Sequence, residues 1–497
     1  MRPRKLLPPA ALALSSALAL TGCFAASTAG SGEASDGERI RVAMMNPPRS
    51  GLSPLSDDAF KLSRWSTAET LVNLDKDGDA EPALATRWKR TDERTWTFTL
   101  RKGVTFHDGT PLTARAVERS LTAAATASPK PRILDGVDFT AEAKGDTVVV
   151  TTGEPDPLVP QRLSSPQLSV LAAKAYRGGT VDPVGAGTGA FVLKKADGTS
   201  SATLDRNEKY WGGRARAAGI DVTFVPDGAA RAAALRSGDA DIVEAIPVSQ
   251  ASLLEKDQIT EVPMPRTNTL YLNTAEGVFK YAGQRAAARE AIDADALVDD
   301  IYEGRADTAE GLLGPALPWA AERAGRTRAA EPAKPSGETI TIGTFTDRAE
   351  LPEVAATLQQ QLKKAGFKVK LEVREYAAIE ADALAGKFDA FVLSRATVID
   401  SGDPAAYLRS DFAGDGSFNL SQLADPNVDR AVRKAEEATS GAARRAAVLD
   451  AETAVLNTDA AVPMLHERVI QGDATNVVGS AKDPRERELI TLDTYVK

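Results

Sequence analysis

The chain holds a single thiol. Cys23 is the only cysteine in 497 residues, so whatever folds after it has no disulfide and offers no thiolate to a metal. Export does not contradict this, because a chain of this length buries enough core to need no covalent staple. Roughly two to four domains are expected from length alone. Cys23 closes the stretch Leu20-Thr21-Gly22-Cys23, at the end of an apolar run from Leu6 to Leu20 that follows Arg2, Arg4 and Lys5. A basic start, a short apolar core and small residues at a cleavage point describe a secretion signal. The run is shorter than the roughly 20 residues that span a bilayer, and no later run is long enough either.

The Leu-Thr-Gly-Cys stretch resembles the lipobox of bacterial lipoproteins. The resemblance implies a signal peptide over 1–22 and a diacylglycerol on the Cys23 sulfur, with that residue as the mature N-terminus. Residues 23–38, small and polar, then form a lipidated, flexible tether. Several acyl chains at about 0.8 kcal/mol per buried CH₂ give a stable anchor. The expected location is the extracytoplasmic face of the bacterial cell membrane, lipid-anchored.

Composition narrows the function. Hydrophobic residues are 43% and charged residues 26%, ordinary for a globular protein, and the net charge of −9 argues against a nucleic-acid partner. Two histidines, His107 and His466, leave few ligands for zinc or copper, and no metal or cofactor is expected. Leu74-Asp75-Lys-Asp77-Gly-Asp79-Ala-Glu81 invites a calcium reading. It fails the EF-hand test at Ala80 and Thr86, and an Asp-Gly hairpin turn is the better reading. Gly185-Ala-Gly187-Thr-Gly189 leads into an apparent strand, not the helix a dinucleotide loop needs. No phosphate-binding Gly-x-x-x-x-Gly-Lys motif, serine nucleophile elbow, zinc motif or Cys–His arrangement occurs. The chain therefore reads as a non-enzyme; a cell-envelope hydrolase is the remote alternative.

Periodicity points to α/β architecture. Ile220–Val225 alternates as a strand, Asp227 can cap a helix to Ser237, Gly238 stops it, and Ala240–Ile246 is the next strand. A second unit follows. Val354, Leu358 and Leu362 share one helical face, Gly366 ends that helix, and Phe367–Val373 and Phe388–Leu393 read as strands. Upstream, Trp96, Phe98 and Leu100 alternate as a half-buried strand, and Thr113 looks like the N-cap of a helix.

The run from Trp96 through Leu100-Arg-Lys-Gly-Val-Thr-Phe106-His107-Asp108-Gly109-Thr-Pro111-Leu-Thr113-Ala114 resembles the family 5 solute-binding proteins of ABC importers, which include oligopeptide, dipeptide and nickel binders. Gly187-Thr-Gly189-Ala-Phe191-Val-Leu193 and Leu204-Asp-Arg206-Asn207-Glu-Lys-Tyr210-Trp211-Gly-Gly213 resemble further blocks of that family. The resemblance implies a two-lobed periplasmic-binding-protein-like α/β fold of type II. It belongs to the large cluster, with an extra subdomain in the N-terminal lobe and two hinge crossings. Lobe I is expected over 39–267 plus 465–497, with an inserted subdomain at about 62–176, and lobe II over 268–464. Thr267-Asn268-Thr-Leu-Tyr271-Leu-Asn273 resembles the first hinge strand and Pro463-Met-Leu-His466 the second. Within the run, His107 reads as a structural histidine.

The resemblance also implies a function and a site. The chain would capture a small peptide or similar amine-bearing solute between the lobes and deliver it to an ABC permease and its ATPase subunits, working as a monomer. In the peptide binders an aspartate before an acid-proline pair holds the α-amino group; carried over, that role falls on Asp400, ahead of Asp403-Pro404. A buried ammonium needs such an opposite charge. Arg395, Thr397 and Ser401 are expected to line the cleft beside it, with Asn268 and Tyr271 reaching in from the first hinge. Asp403-Pro404 itself reads as a turn and helix cap. Thr397 stands where the peptide binders often carry an aromatic residue. No histidine lies between 107 and 466 and no tryptophan follows Trp319, which disfavours the nickel binder's mode. A metal chelate, a siderophore-like compound or an oligosaccharide is the alternative cargo.

Overall fold

The structure, a computed structural model, describes residues 37–497 except positions 135, 178, 179, 349, 399, 400 and 440. The signal run, Cys23, most of the tether and Asp400 therefore lie outside the described residues. Strands from distant parts of the chain build an eleven-stranded mixed sheet. At one end, Arg39–Met44 pairs in parallel with Gly219–Phe224 and with Ile242–Val243. At the other, Thr339–Phe345 pairs in parallel with Lys368–Arg374 and Ala390–Ala396.

Each end follows the pattern read from the sequence. The helix Gly228–Ser237 is capped by Asp227, whose carboxylate accepts the Ala230 N–H, and closed by Gly238 at φ 77°. The strand after it is only Ile242–Val243, shorter than the predicted 240–246, because Ala245 takes a left-handed φ of 46° and turns the chain. The helix Glu350–Ala365 buries Val354, Leu358 and Leu362 completely. Gly366, at φ 116°, releases the chain into Lys368–Arg374.

Two long strands join the ends. Ile259–Leu272, of 14 residues, runs antiparallel to Ala461–Asp473, of 13. Their ladder is irregular between Pro263 and Thr267. Proline has no N–H to give a ladder, so Pro263 and Pro265 force a bulge here. Arg266 pairs instead with Ala396 on the next strand, and the Thr397 N–H donates to the Pro265 carbonyl at 2.8 Å.

The buried apolar side chains fall into separate clusters on either side of these crossings. One draws only on residues between Leu270 and Leu465. Another draws on Ile40 to Ile242 and returns at Leu489, Ile490 and Val496. A four-stranded antiparallel sheet, ordered Ala85–Arg90, Thr95–Leu100, Thr147–Thr152, Phe139–Lys144, extends the second core. Its helix Ala114–Thr126 is capped by Thr113, as the sequence predicts.

The glycines of the 187–189 block are packing residues. A Cβ on Gly187 would lie 1.9 Å from the Thr67 carbonyl oxygen, and one on Gly189 would lie 2.2 Å from that of Ser66. His107 closes the same contact, its Nε2 bonded to the Gly189 carbonyl at 2.9 Å.

The Asp-Gly hairpin forms between Val72–Leu74 and Ala80–Pro82. Its tip reaches residues of the other core. Asp79 pairs with Arg445 at 2.7 Å and accepts the Gly441 N–H. Trp319 Nε1 donates to the Asp77 carbonyl at 3.1 Å.

Candidate functional site

In an open α/β sheet the carboxyl ends of the strands leave backbone and loops free to meet a ligand. Here Thr339–Phe345 and Ala390–Ala396 end at a cavity of about 730 Å³. They bring Asp347, Arg348 and Arg395 to it; the bulged crossing brings Arg266, and the opposite wall brings Arg132 and Arg162. A neighbouring cavity of about 230 Å³ shares Arg132, Arg266 and Ala396 and adds Arg485, Glu486 and Arg487. A third, of about 410 Å³, shares Asp57, Phe60 and Glu486 with the second and is walled by the loop after Arg39–Met44. Cavities of this size, between separate cores, suit a small ligand.

The lining is rich in guanidinium groups, and most are already matched. Arg395 holds Asp411 through two bonds of 2.8 Å and lies 4.2 Å from the centre of the Phe418 ring. Burial opposes the Arg395 charge, but the bonds and charge of Asp411 outweigh it and raise the pKa above the usual arginine value. Arg348 donates to Glu467 at 2.7 Å, and Ser394 donates to the other oxygen of that carboxylate. Arg162 pairs with Asp156, and Arg132 with Asp57 at 3.3 Å. Phe345 and Tyr376 meet edge to face at 4.8 Å and give the wall an aromatic patch.

The loop that walls the third cavity is organised by Asp58. Its carboxylate accepts the N–H groups of Arg49 and Ser50, the Ser50 hydroxyl and the Lys61 ammonium. Burial opposes the Asp58 charge, but these donors outweigh it and lower its pKa.

Of the residues expected at the site, Arg395 and Ser401 line the cavity of about 730 Å³. Asp400 lies outside the described residues. Asn268, Tyr271 and Thr397 do not line the cleft. Asn268 is fully buried and its amide donates to the Tyr302 hydroxyl at 3.2 Å. Tyr271 stacks on Phe412 inside the core, and buried Thr397 donates to the Pro265 carbonyl. Asp403 organises the turn into the helix Ala405–Phe412, whose N-cap is Pro404: it accepts the Ala405 N–H at 2.8 Å and both its oxygens pair with Arg444. Arg132, Arg162, Arg266 and Arg348 were not anticipated. Only Arg266 has a sequence signal, the two prolines just before it, which disrupt a strand and re-aim its side chains.

Residues 79–419 match the family described as bacterial extracellular solute-binding proteins, family 5. The chain belongs to this family. Family 5 proteins are binding proteins of ABC importers, so this chain serves a permease and its ATPase and is not an enzyme. Its relatives include the probable D,D-dipeptide-binding periplasmic protein DdpA of Escherichia coli, 26% identical over 87% of this chain and 89% of that protein. Protein XP55 of Streptomyces lividans is 29% identical over 78% of this chain and 76% of its own length. Among solved structures, the nickel ABC transporter protein of Bacillus halodurans superposes with a TM-score of 0.79, at 26% identity, covering 92% of this chain and all of that one. The two-lobed periplasmic binding fold is thus shared, and family 5 members of this kind work outside the cytoplasm. The ligands in these relatives' names, a D,D-dipeptide and nickel, differ at equal identity to this chain.

Proposed function

We propose that this family 5 protein captures a small peptide, or a similar amine-bearing solute, between its lobes and hands it to its permease. The observation that carries the reading is the cavity of about 730 Å³ where Arg395 and Ser401 stand on either side of position 400 in the sequence. Asp400 would receive the α-ammonium, while arginines on the same wall meet the carboxylate end. Lobe I comprises 39–267 and 465–497 and lobe II 268–464, rotating as rigid bodies about the crossing strands; solute must favour the closed arrangement for closure to follow binding. Lipid on Cys23 holds the monomer at the membrane. A carboxylate-bearing metal chelate is the second reading, favoured by the same arginine-rich wall.

Thermal melts of the full chain against di- to pentapeptides, nickel with histidine, and common sugars test this. A peptide at about 100 times its Kd stabilises by about 2.7 kcal/mol. Stabilisation by a sugar and by no peptide would sink the reading. An Asp400→Asn chain that binds free-amine peptides as before removes Asp400 from the site.

A further inference from the structure

Arg266 lines the cleft and makes no ion pair among the described residues; the charges of Glu467 and Glu486 favour it only from a distance. Among the described residues its side chain makes a single hydrogen bond, from Nη1 to the Ser394 carbonyl at 3.1 Å. The nearby buried carboxylate, Glu467, is taken on both oxygens, one by the Ser394 hydroxyl and one by Arg348. Arg395, next along the wall, is spent on Asp411. The side chain lines both the larger and the smaller cavity, so its free edge faces open space at their junction. Burial, with the charges of Arg348 and Arg395, lowers its pKa below the usual arginine value.

A half-buried guanidinium with no paired carboxylate is under-satisfied, and a carboxylate accepting two parallel N–H bonds answers it. The bond to the Ser394 carbonyl already holds one edge of the group, which leaves the other edge for an anion. We infer that Arg266 is a specificity-determining anion receptor, and that the cleft selects solutes carrying a carboxylate and rejects those of net positive charge. The inference rests on the cleft being the ligand site. It holds for a peptide carboxylate and for a non-peptide polycarboxylate alike.

Isothermal titration calorimetry on the full chain separates these. The probes are Ala-Ala-Glu, Ala-Ala-Ala, the C-terminal amide of Ala-Ala-Lys, and citrate. The wild type is expected to prefer Ala-Ala-Glu to the lysine amide by at least about tenfold. Arg266→Gln should lose about tenfold for Ala-Ala-Glu and change by less than about twofold for the amide, with Arg266→Lys between. Melts of both variants check folding, and the lysine variant serves if the glutamine one is unfolded. Citrate binding that needs Arg266, without tripeptide binding, ends the peptide reading and keeps this inference. Tripeptide binding unchanged in Arg266→Gln keeps the peptide reading and overturns the inference. So does a wild type that prefers the lysine amide or binds no anionic probe.

Discussion

Arg395 and Asp411 form a bidentate pair, Nε to Oδ2 and Nη2 to Oδ1, each at 2.8 Å, with the Asp411 side chain wholly buried. The pair fixes a cleft side chain from behind. Replacing one partner leaves a buried charge unanswered. Arg395→Met should therefore lower stability by about 3 kcal/mol, read as a reduced urea midpoint at unchanged slope. Arg395→Met with Asp411→Leu should recover much of the loss.

The histidine His466 sits at the second crossing, Nδ1 against the Thr267 hydroxyl at 2.9 Å. Burial, aided by the Arg323 charge, pushes its pKa down from 6.5 to about 4. Between those values the unfolded chain binds a proton here that the folded chain does not. Stability is thus full above pH 6.5 and falls as pH drops toward 4, by on the order of 3 kcal/mol. Burial lowers His107 in the same direction. Denaturation midpoints taken from pH 7.5 to 4.5 should show the decline, and His466→Gln should flatten most of it.

Gly187 has no room for a methyl group. Its Cβ would fall 1.9 Å from backbone, which cannot swing aside as a side chain can. Gly187→Ala should cost about 2–3 kcal/mol or more, the scale of overpacking a tight core. A thermal melt unchanged from wild type would refute the packing role given to this block.

The hairpin tip offers a test of closure. The Asp79–Arg445 pair is partly exposed and is worth about 0.5 kcal/mol. Asp79→Ala should shift the closed-to-open ratio about twofold. Dyes on Lys89→Cys and Glu437→Cys, in a Cys23→Ser background, report this as single-molecule energy transfer. An unchanged distribution would remove the hairpin from the closing contact.

Much of the fold was legible because local rules and tertiary packing agree. Asp227, Gly238, Thr113 and Gly366 punctuate helices in the sequence and do so in the structure. The cleft was less legible. Asn268 and Tyr271 lie three apart on a strand, so they point to opposite faces and could not both enter one cavity. Arg132 and Arg162 come from a region more than 100 residues before Arg266 in the sequence, and no local pattern tells which wall they meet. Thr397 followed a strand end, but the bulge at Pro265 claimed its hydroxyl and its N–H.

The two crossing strands are bonded to each other along most of their length. Mechanically they are a leaf spring, not two separate wires. Such a ribbon flexes and twists readily, whereas sliding one strand past the other breaks the ladder, and a slip of one residue turns every side chain to the wrong face. The halves it joins can swing but cannot shear. On the proposed reading, a solute gripped between them would meet the same opposing atoms on every cycle.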